Sequence, residues 1–215
     1  MSSAFSHAEL ERALLRREAG EPLAHVLGRV EFCELSLEIG PGVFVPRPRT
    51  EALVEAAIAW LKPDSRVLDV ACGCGALAAA IKRALPGAEV HASDIDESAL
   101  EFARRNGARY GFAVHRSDWL RSVPGRFDLV IAYLPHVPHA EEDSLDQDYL
   151  KAEGPSTVLG GADGLDPLRS ILPHLSQHGG LMTLLEVGQI ETARQLAGRL
   201  QVLAGDEHDQ IVLIQ

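Results

Sequence analysis

The segment Val67-Leu68-Asp69-Val70-Ala71-Cys72-Gly73-Cys74-Gly75-Ala76 carries the strongest chemical signal in the chain. A short apolar run meets a Gly-x-Gly turn and then a helix-forming stretch. Glycine lets a backbone approach a ligand closely, and a helix start offers free N–H groups to a carboxylate. Asp94 follows 19 residues after Gly75, at the end of the next apolar run. A carboxylate there can accept hydrogen bonds from both hydroxyls of a ribose. Asp118-Trp119 comes just after a third run, where an acid can meet an adenine amino group and an indole can cover the ring. The residue three after Gly75 is Ala78, which disfavours a dinucleotide, and no Gly-Lys-Ser/Thr is present to cradle a polyphosphate. Asp69, Asp94 and Asp118 at successive strand ends suit a sulfonium cofactor better than a polyphosphate. A lone Gly-x-Gly also serves as an ordinary strand-to-helix turn, so this segment does not decide the function unaided.

Two further clusters invite a metal, and neither supports one. Cys72 and Cys74 have no second ligand pair at zinc spacing, and they read as small residues lining a tight turn. Cys33 reads as a packed strand residue. His136-Val137-Pro138-His139 followed by Glu141, Glu142 and Asp143 lacks a third fixed ligand and reads as an acidic, solvated loop. No metal is expected. His115, His174, His178 and His208 read as surface or edge residues.

The elements that must position these residues alternate in type. Strands are expected at 66–70, 89–93, 113–116, 127–132 and 181–187, and helices at 75–85, 97–110, 167–177 and 190–200. Residues 201–204 and 210–214 pair as a terminal hairpin around Gly205-Asp206. Residues 133–165 form one long loop, a length usually tied to function. Upstream, Ser6 caps a helix to Glu18, and residues 30–45 form a β-hairpin turning at Gly40-Pro41-Gly42. Thr50 starts a helix to Leu61 after Pro46-Arg47-Pro48. The expected fold is a Rossmann-like, doubly wound α/β sheet of seven mostly parallel strands with an antiparallel C-terminal hairpin. Residues 1–48 form an N-terminal appendage and 49–215 the main domain. The site then lies outside the carboxyl ends of the strands.

Bulk properties narrow the class. The chain has 215 residues, 46% hydrophobic and 24% charged, enough for one folded domain with a real core. A net charge of −11 argues against a broad nucleic-acid face. No apolar run approaches a membrane span, and Met1 to Glu11 shows no secretory leader. Three cysteines without a framework fit a reducing, cytoplasmic compartment. Oligomeric state is not readable.

Further motifs carry a resemblance. Gly20-Glu21-Pro22-Leu23-Ala24-His25-Val26-Leu27-Gly28, Val45-Pro46-Arg47-Pro48-Arg49-Thr50-Glu51, Phe127-Asp128-Leu129-Val130-Ile131-Ala132, Gly160-Gly161-Ala162-Asp163-Gly164-Leu165-Asp166 and Glu186-Val187-Gly188-Gln189 flank the Gly-x-Gly turn in order. Together they resemble the protein-(glutamine-N5) methyltransferases of peptide-chain release factors, the HemK/PrmC family. The resemblance implies S-adenosyl-L-methionine as methyl donor and S-adenosyl-L-homocysteine as product. It implies cofactor contacts from Asp69, Ala71, Cys72, Gly73, Cys74, Gly75, Asp94, Ile95, Asp118, Trp119, Tyr133, Arg47 and Thr50; Arg47 and Arg49, held by Pro46 and Pro48, read either as a lid over the cofactor or as surface charge beside a proline turn.

The chain leaves that family pattern in two places. About ~20 residues precede the opening segment, enough for one helix where the family has a helical bundle that docks the release factor. The family's Asn-Pro-Pro-Tyr stands here as Tyr133-Leu134-Pro135-His136. In the family the Asn side chain and the following carbonyl accept hydrogen bonds from the substrate amide. Tyr133 replaces that amide with a phenol, Pro135 keeps the turn, and His136 can carry a proton. Tyr133, Pro135 and His136 are therefore the candidate catalytic residues. Three readings stay open. His136 acts as general base, or Tyr133 as hydrogen-bond partner, for a changed oxygen or nitrogen acceptor, a small molecule or a peptide; an imidazole titrates near ~6.5, which suits that role. Alternatively, glutamine on a release factor or another protein is methylated, or the chain binds the cofactor as a regulator without turnover.

Overall fold

Ser6 opens the described part of the computed structural model, which covers residues 6–215. Residues 1–5, half of the stretch read for a leader, lie outside the described residues. Helix α1 (His7–Glu18) begins with a capping box: the Ser6 hydroxyl accepts the Glu9 N–H, and the Glu9 carboxylate accepts the Ser6 N–H at 2.8 Å. A short α2 (Leu23–Leu27) follows and ends at Gly28 in the left-handed region.

Strands β1 (Arg29–Phe32) and β2 (Leu35–Glu38) form the expected hairpin, but it is shorter and turns elsewhere. Cys33 and Glu34 have φ values of 45° and 60°, the pair of left-handed residues that a two-residue hairpin turn demands. Cys33 is thus a turn residue rather than a strand residue, though it does pack against the core. Gly40-Pro41-Gly42 is a bend beyond the hairpin, with the Gly42 N–H donating to the Ala152 carbonyl at 2.8 Å. That bond carries residues 42–47 across the mouth of the site.

The main sheet is built by β3 (Arg66–Val70), β4 (Glu89–Asp94), β5 (Ala113–Arg116), β6 (Leu129–Ala132), β7 (Leu181–Glu186), β8 (Leu200–Gly205) and β9 (Asp209–Ile214). Their order is β5-β4-β3-β6-β7-β9-β8, parallel from β5 to β7 and antiparallel at β9 and β8. Helices α3 (Glu51–Trp60), α4 (Ala76–Ala84) and α5 (Glu97–Tyr110) are on one face, and α7 (Asp166–Leu175) and α8 (Ile190–Ala197) on the other. Side chains alternate accordingly: Leu129 and Ile131 enter the first core, and Val130 and Ala132 the second. Ala78 and Ala79 are fully buried, so α4 lies close against the sheet. Phe32, Leu35 and Leu37 of the hairpin pack into that same core.

The expected long loop holds a helix. Asp146 accepts N–H bonds from Asp148 and Tyr149 and caps α6 (Gln147–Glu153), which buries Leu150 and Glu153. Seven residues are too few for a helical period to show in the sequence. The strand order reverses between β3 and β6, and this switch point places the ligand-binding crevice at their carboxyl ends. Among the described residues no helix is long and apolar enough to cross a membrane.

Candidate functional site

At that switch point lies a cavity of about 300 Å³. Of the residues read from the sequence, Thr50, Asp69, Ala71 through Cys74, Asp94, Ile95, Asp118, Trp119, Tyr133 and Pro135 line it. Gly75, Arg47 and His136 do not. The turn after β3 is tight, with Ala71 and Gly73 at φ 55° and 54°. Space above Gly73 is open, since a Cβ there would meet only Val43 Cγ1 at 3.8 Å. Gly75 differs. A Cβ on it would lie 2.6 Å from Phe112 Cζ, so packing and its φ of 82° demand the glycine, rather than a ligand.

Burial acts on two acids of this cavity. Asp69 Oδ2 accepts the Ala78 N–H at 3.0 Å, while Oδ1 has no partner. Burial, helped by neighbouring Asp94, pushes the Asp69 carboxyl up to about 8. Such an orphaned oxygen fits a cationic ligand. Asp94 is fixed by two backbone donors, Gly73 N–H to Oδ2 at 2.9 Å and Asp96 N–H to Oδ1 at 3.0 Å. Burial raises it too, against the pull of those N–H bonds. Each oxygen keeps a lone pair for a further donor. Trp119 sits at φ 52° beside Asp118 on the rim. Phe44, Ser156 and Thr157 close the cavity from segments with no motif of their own.

A second cavity of about 310 Å³ adjoins the first and shares Phe44, Tyr133, Pro135 and Thr157 with it. Here stand the remaining expected residues. His136 is buried, with Nδ1 2.8 Å from the Leu134 carbonyl. A carbonyl only accepts, so the ring proton belongs on Nδ1 and Nε2 carries the lone pair. Nε2 lies 3.4 Å from Arg49 Nη2 and 3.7 Å from Glu186 Oε1. The Arg49 guanidinium donates to the Tyr133 hydroxyl at 2.5 Å and to Asp209 Oδ2 at 3.0 Å. Burial raises the Tyr133 phenol above its ordinary value, opposed by Arg49.

Arg47 departs from its expected place over the cofactor. Glu153, whose side chain is fully buried, takes it with both oxygens at 2.8 Å and also accepts the Val45 N–H at 3.0 Å. The guanidinium sits between the Phe44 and Tyr149 rings, 4.6 and 5.0 Å from their centroids. It is a pillar of the second cavity, tying α6 to residues 45–47. No sequence pattern marks Glu153 within residues 133–165; its burial does.

The motif at 160–166 positions the loop that bears Tyr133 and His136. Val158 O accepts the N–H groups of His136 and Val137 at 3.1 Å, and the Gly160 N–H donates to Val137 O at 2.9 Å. A Cβ on Gly164 would lie 2.0 Å from His136 O, so only glycine lets the two segments meet. Gln189 Nε2 donates to that same carbonyl at 2.7 Å and to Asp163 O at 3.3 Å, while its Oε1 accepts the Glu186 N–H at 3.2 Å. His139 is exposed.

A family model described as the methyltransferase small domain matches residues 39–153. Release factor glutamine methyltransferases from Gloeobacter violaceus and Geobacter sulfurreducens are 39% and 35% identical over 90% and 86% of this chain. The chain spans 72% and 67% of their lengths, and 61% of a Rhodospirillum rubrum relative of the same name that is 36% identical. Among solved structures, a methyltransferase from Pyrococcus furiosus superposes with a TM-score of 0.63 at 16% identity, covering 96% of this chain and 98% of that one. The E. cuniculi complex described as methylating the eRF1 translation termination factor gives a TM-score of 0.60 at 19% identity, with 80% and 96% covered. Both share the fold described above.

Proposed function

The chain belongs to the release factor glutamine methyltransferase family, HemK/PrmC, and from that premise we propose that its acceptor is an oxygen or nitrogen atom other than a release-factor glutamine. Membership makes it an S-adenosylmethionine-dependent methyltransferase. The bound cofactor supplies an electrophilic methyl group on a sulfonium sulfur. In this proposal Asp69 holds the cationic amino-acid end, with its free Oδ1 as the point of attraction. Asp94 holds the ribose hydroxyls, Asp118 and Trp119 the adenine, and Ala71 through Cys74 and Ile95 complete the walls. Tyr133, Pro135 and Phe44 stand between the two cavities and orient the acceptor for in-line attack.

One observation carries the altered acceptor. Glutamine activation needs an oxygen that accepts from the amide N–H, and the Tyr133 hydroxyl oxygen is already engaged by Arg49. His136 Nε2, which meets the same guanidinium only at 3.4 Å, is then the group to take a proton from an acceptor, with Glu186 at 3.7 Å to balance the imidazolium. Mass spectrometry of a release factor incubated with the protein and labelled cofactor tests this. No added methyl is expected; a methylated glutamine overturns the altered acceptor and returns the chain to the named activity of its relatives.

A further inference from the structure

We propose that the second cavity takes a small aromatic hydroxyl compound, a phenol, and that the product is its methyl ether. This names the substrate class of the altered-acceptor reading and rests on it. Among the polar groups lining the cavity, Arg49, Tyr133 and His136 form one connected set, apart from Arg47, Asp146, Tyr149, Glu153 and Thr157. Arg49 carries only donors, and the Tyr133 hydroxyl, having accepted from Arg49, keeps its own proton to give. His136 turns its Nδ1 to the Leu134 carbonyl, and its Nε2 lone pair meets Arg49 Nη2 at a long 3.4 Å, a contact that an entering hydroxyl would replace. That set complements a hydroxyl that must ionise: the donors hold the oxyanion and Nε2 takes the proton.

Other acceptor classes fit worse. A carboxamide would present N–H groups to the donors, and its N–H is far too weak an acid for an imidazole. An ammonium group would face the guanidinium. A carboxylate would carry its full charge on entry into a cavity already lined by Asp146 and Glu153. A neutral phenol enters without that repulsion, and its acidity near ~10 is within reach of an imidazole base. Leu134, Leu145, Leu150 and Val158 give it apolar walls, and about 310 Å³ is the volume of a one- or two-ring compound. In the step, a lone pair of the acceptor oxygen forms the O–CH₃ bond. The S–CH₃ pair returns to sulfur, which loses its positive charge, and the phenolic proton passes to His136 Nε2.

Two measurements on the full chain test this. In cofactor-free protein, the absorbance of para-nitrophenol reports its ionisation; the bound compound should ionise about tenfold more readily than the free one, about one pKa unit. Arg49→Gln and Tyr133→Phe should each remove most of that gain. Binding with no gain in ionisation overturns the proposal. Transfer of labelled methyl is then followed over phenols, benzoates, benzylamines and glutamine peptides. Phenols alone should be methylated, and His136→Gln should cut the rate about 100-fold while para-nitrophenol still binds. Ester formation on benzoates overturns the phenol assignment and leaves the altered acceptor standing. Methylated glutamine overturns both, and no transfer to any phenol overturns this one.

Discussion

The two adjoining cavities are nearly equal in volume yet built by opposite means. The first is made largely of backbone and short-range sequence: one turn after β3, one acid after β4, one dipeptide after β5. The second is made of side chains brought from far apart, Arg47 and Arg49, Tyr133 and His136, Glu153, Glu186 and Asp209. A backbone cradle tolerates sequence change around it and keeps one ligand. A side-chain cavity changes its ligand with one substitution. The difference explains how a family can keep its methyl donor while its acceptor loop diverges.

If the cavities are separable in this way, variants should affect one and spare the other. His136→Gln is expected to have the largest effect, lowering transfer by roughly 100- to 1,000-fold with cofactor affinity within about twofold of the parent. Titration calorimetry beside a turnover assay checks it; equal losses in both would merge the cavities into one. Asp94→Ala should weaken cofactor binding on the order of 100-fold, since two charge-assisted hydrogen bonds are lost. Equilibrium binding that stays within tenfold would remove Asp94 from the cofactor site.

Smaller effects sharpen the comparison. Glu153→Gln leaves Arg47 without its partner and should cost about 2 kcal/mol in chemical denaturation, less than a fully buried pair because Arg47 is 29% exposed. Cofactor affinity should hold, and a denaturation midpoint equal to the parent's would show that the pillar does not matter. Asp69 should report through pH. Its carboxyl is raised to about 8, so the folded protein holds a proton that the unfolded chain releases near ~4. That contribution is complete below the unfolded value and is lost as pH climbs towards 8. The cofactor-free melting temperature should therefore fall over that window, and Asp69→Asn should flatten the fall. An unchanged slope in the variant would mean that Asp69 is ionised throughout.

The same contrast governs what was legible in the sequence. Apolar runs separated by turn residues give the parallel strands, because a buried strand leaves a local record. Asp69, Asp94, Asp118 and Gly73 are readable for the same reason: each lies at or just beyond the carboxyl end of a strand. Gly75 was assigned to the ligand, yet it accommodates Phe112, a contact 37 positions away that no local pattern records. The hairpin turn was missed because Cys33-Glu34 lacks the Asn or Gly that usually marks left-handed turns. Arg47 was placed over the cofactor because its partner, Glu153, lies 106 residues on, within a helix too short to show a period. Gln189 was noted as part of a motif, but its hold on the His136 carbonyl appears only when β7 and β6 lie side by side.

The account turns on the claim that Tyr133-Leu134-Pro135-His136 has changed the acceptor. Its most direct test is mass spectrometry of a release factor incubated with cofactor and either the native chain or the Tyr133→Asn, Leu134→Pro, His136→Tyr variant, which restores the family's motif. The account predicts no methyl from the native chain and a methyl on glutamine from the restored one. Glutamine methylation by the native chain, at a rate equal to or above the variant's, would contradict it.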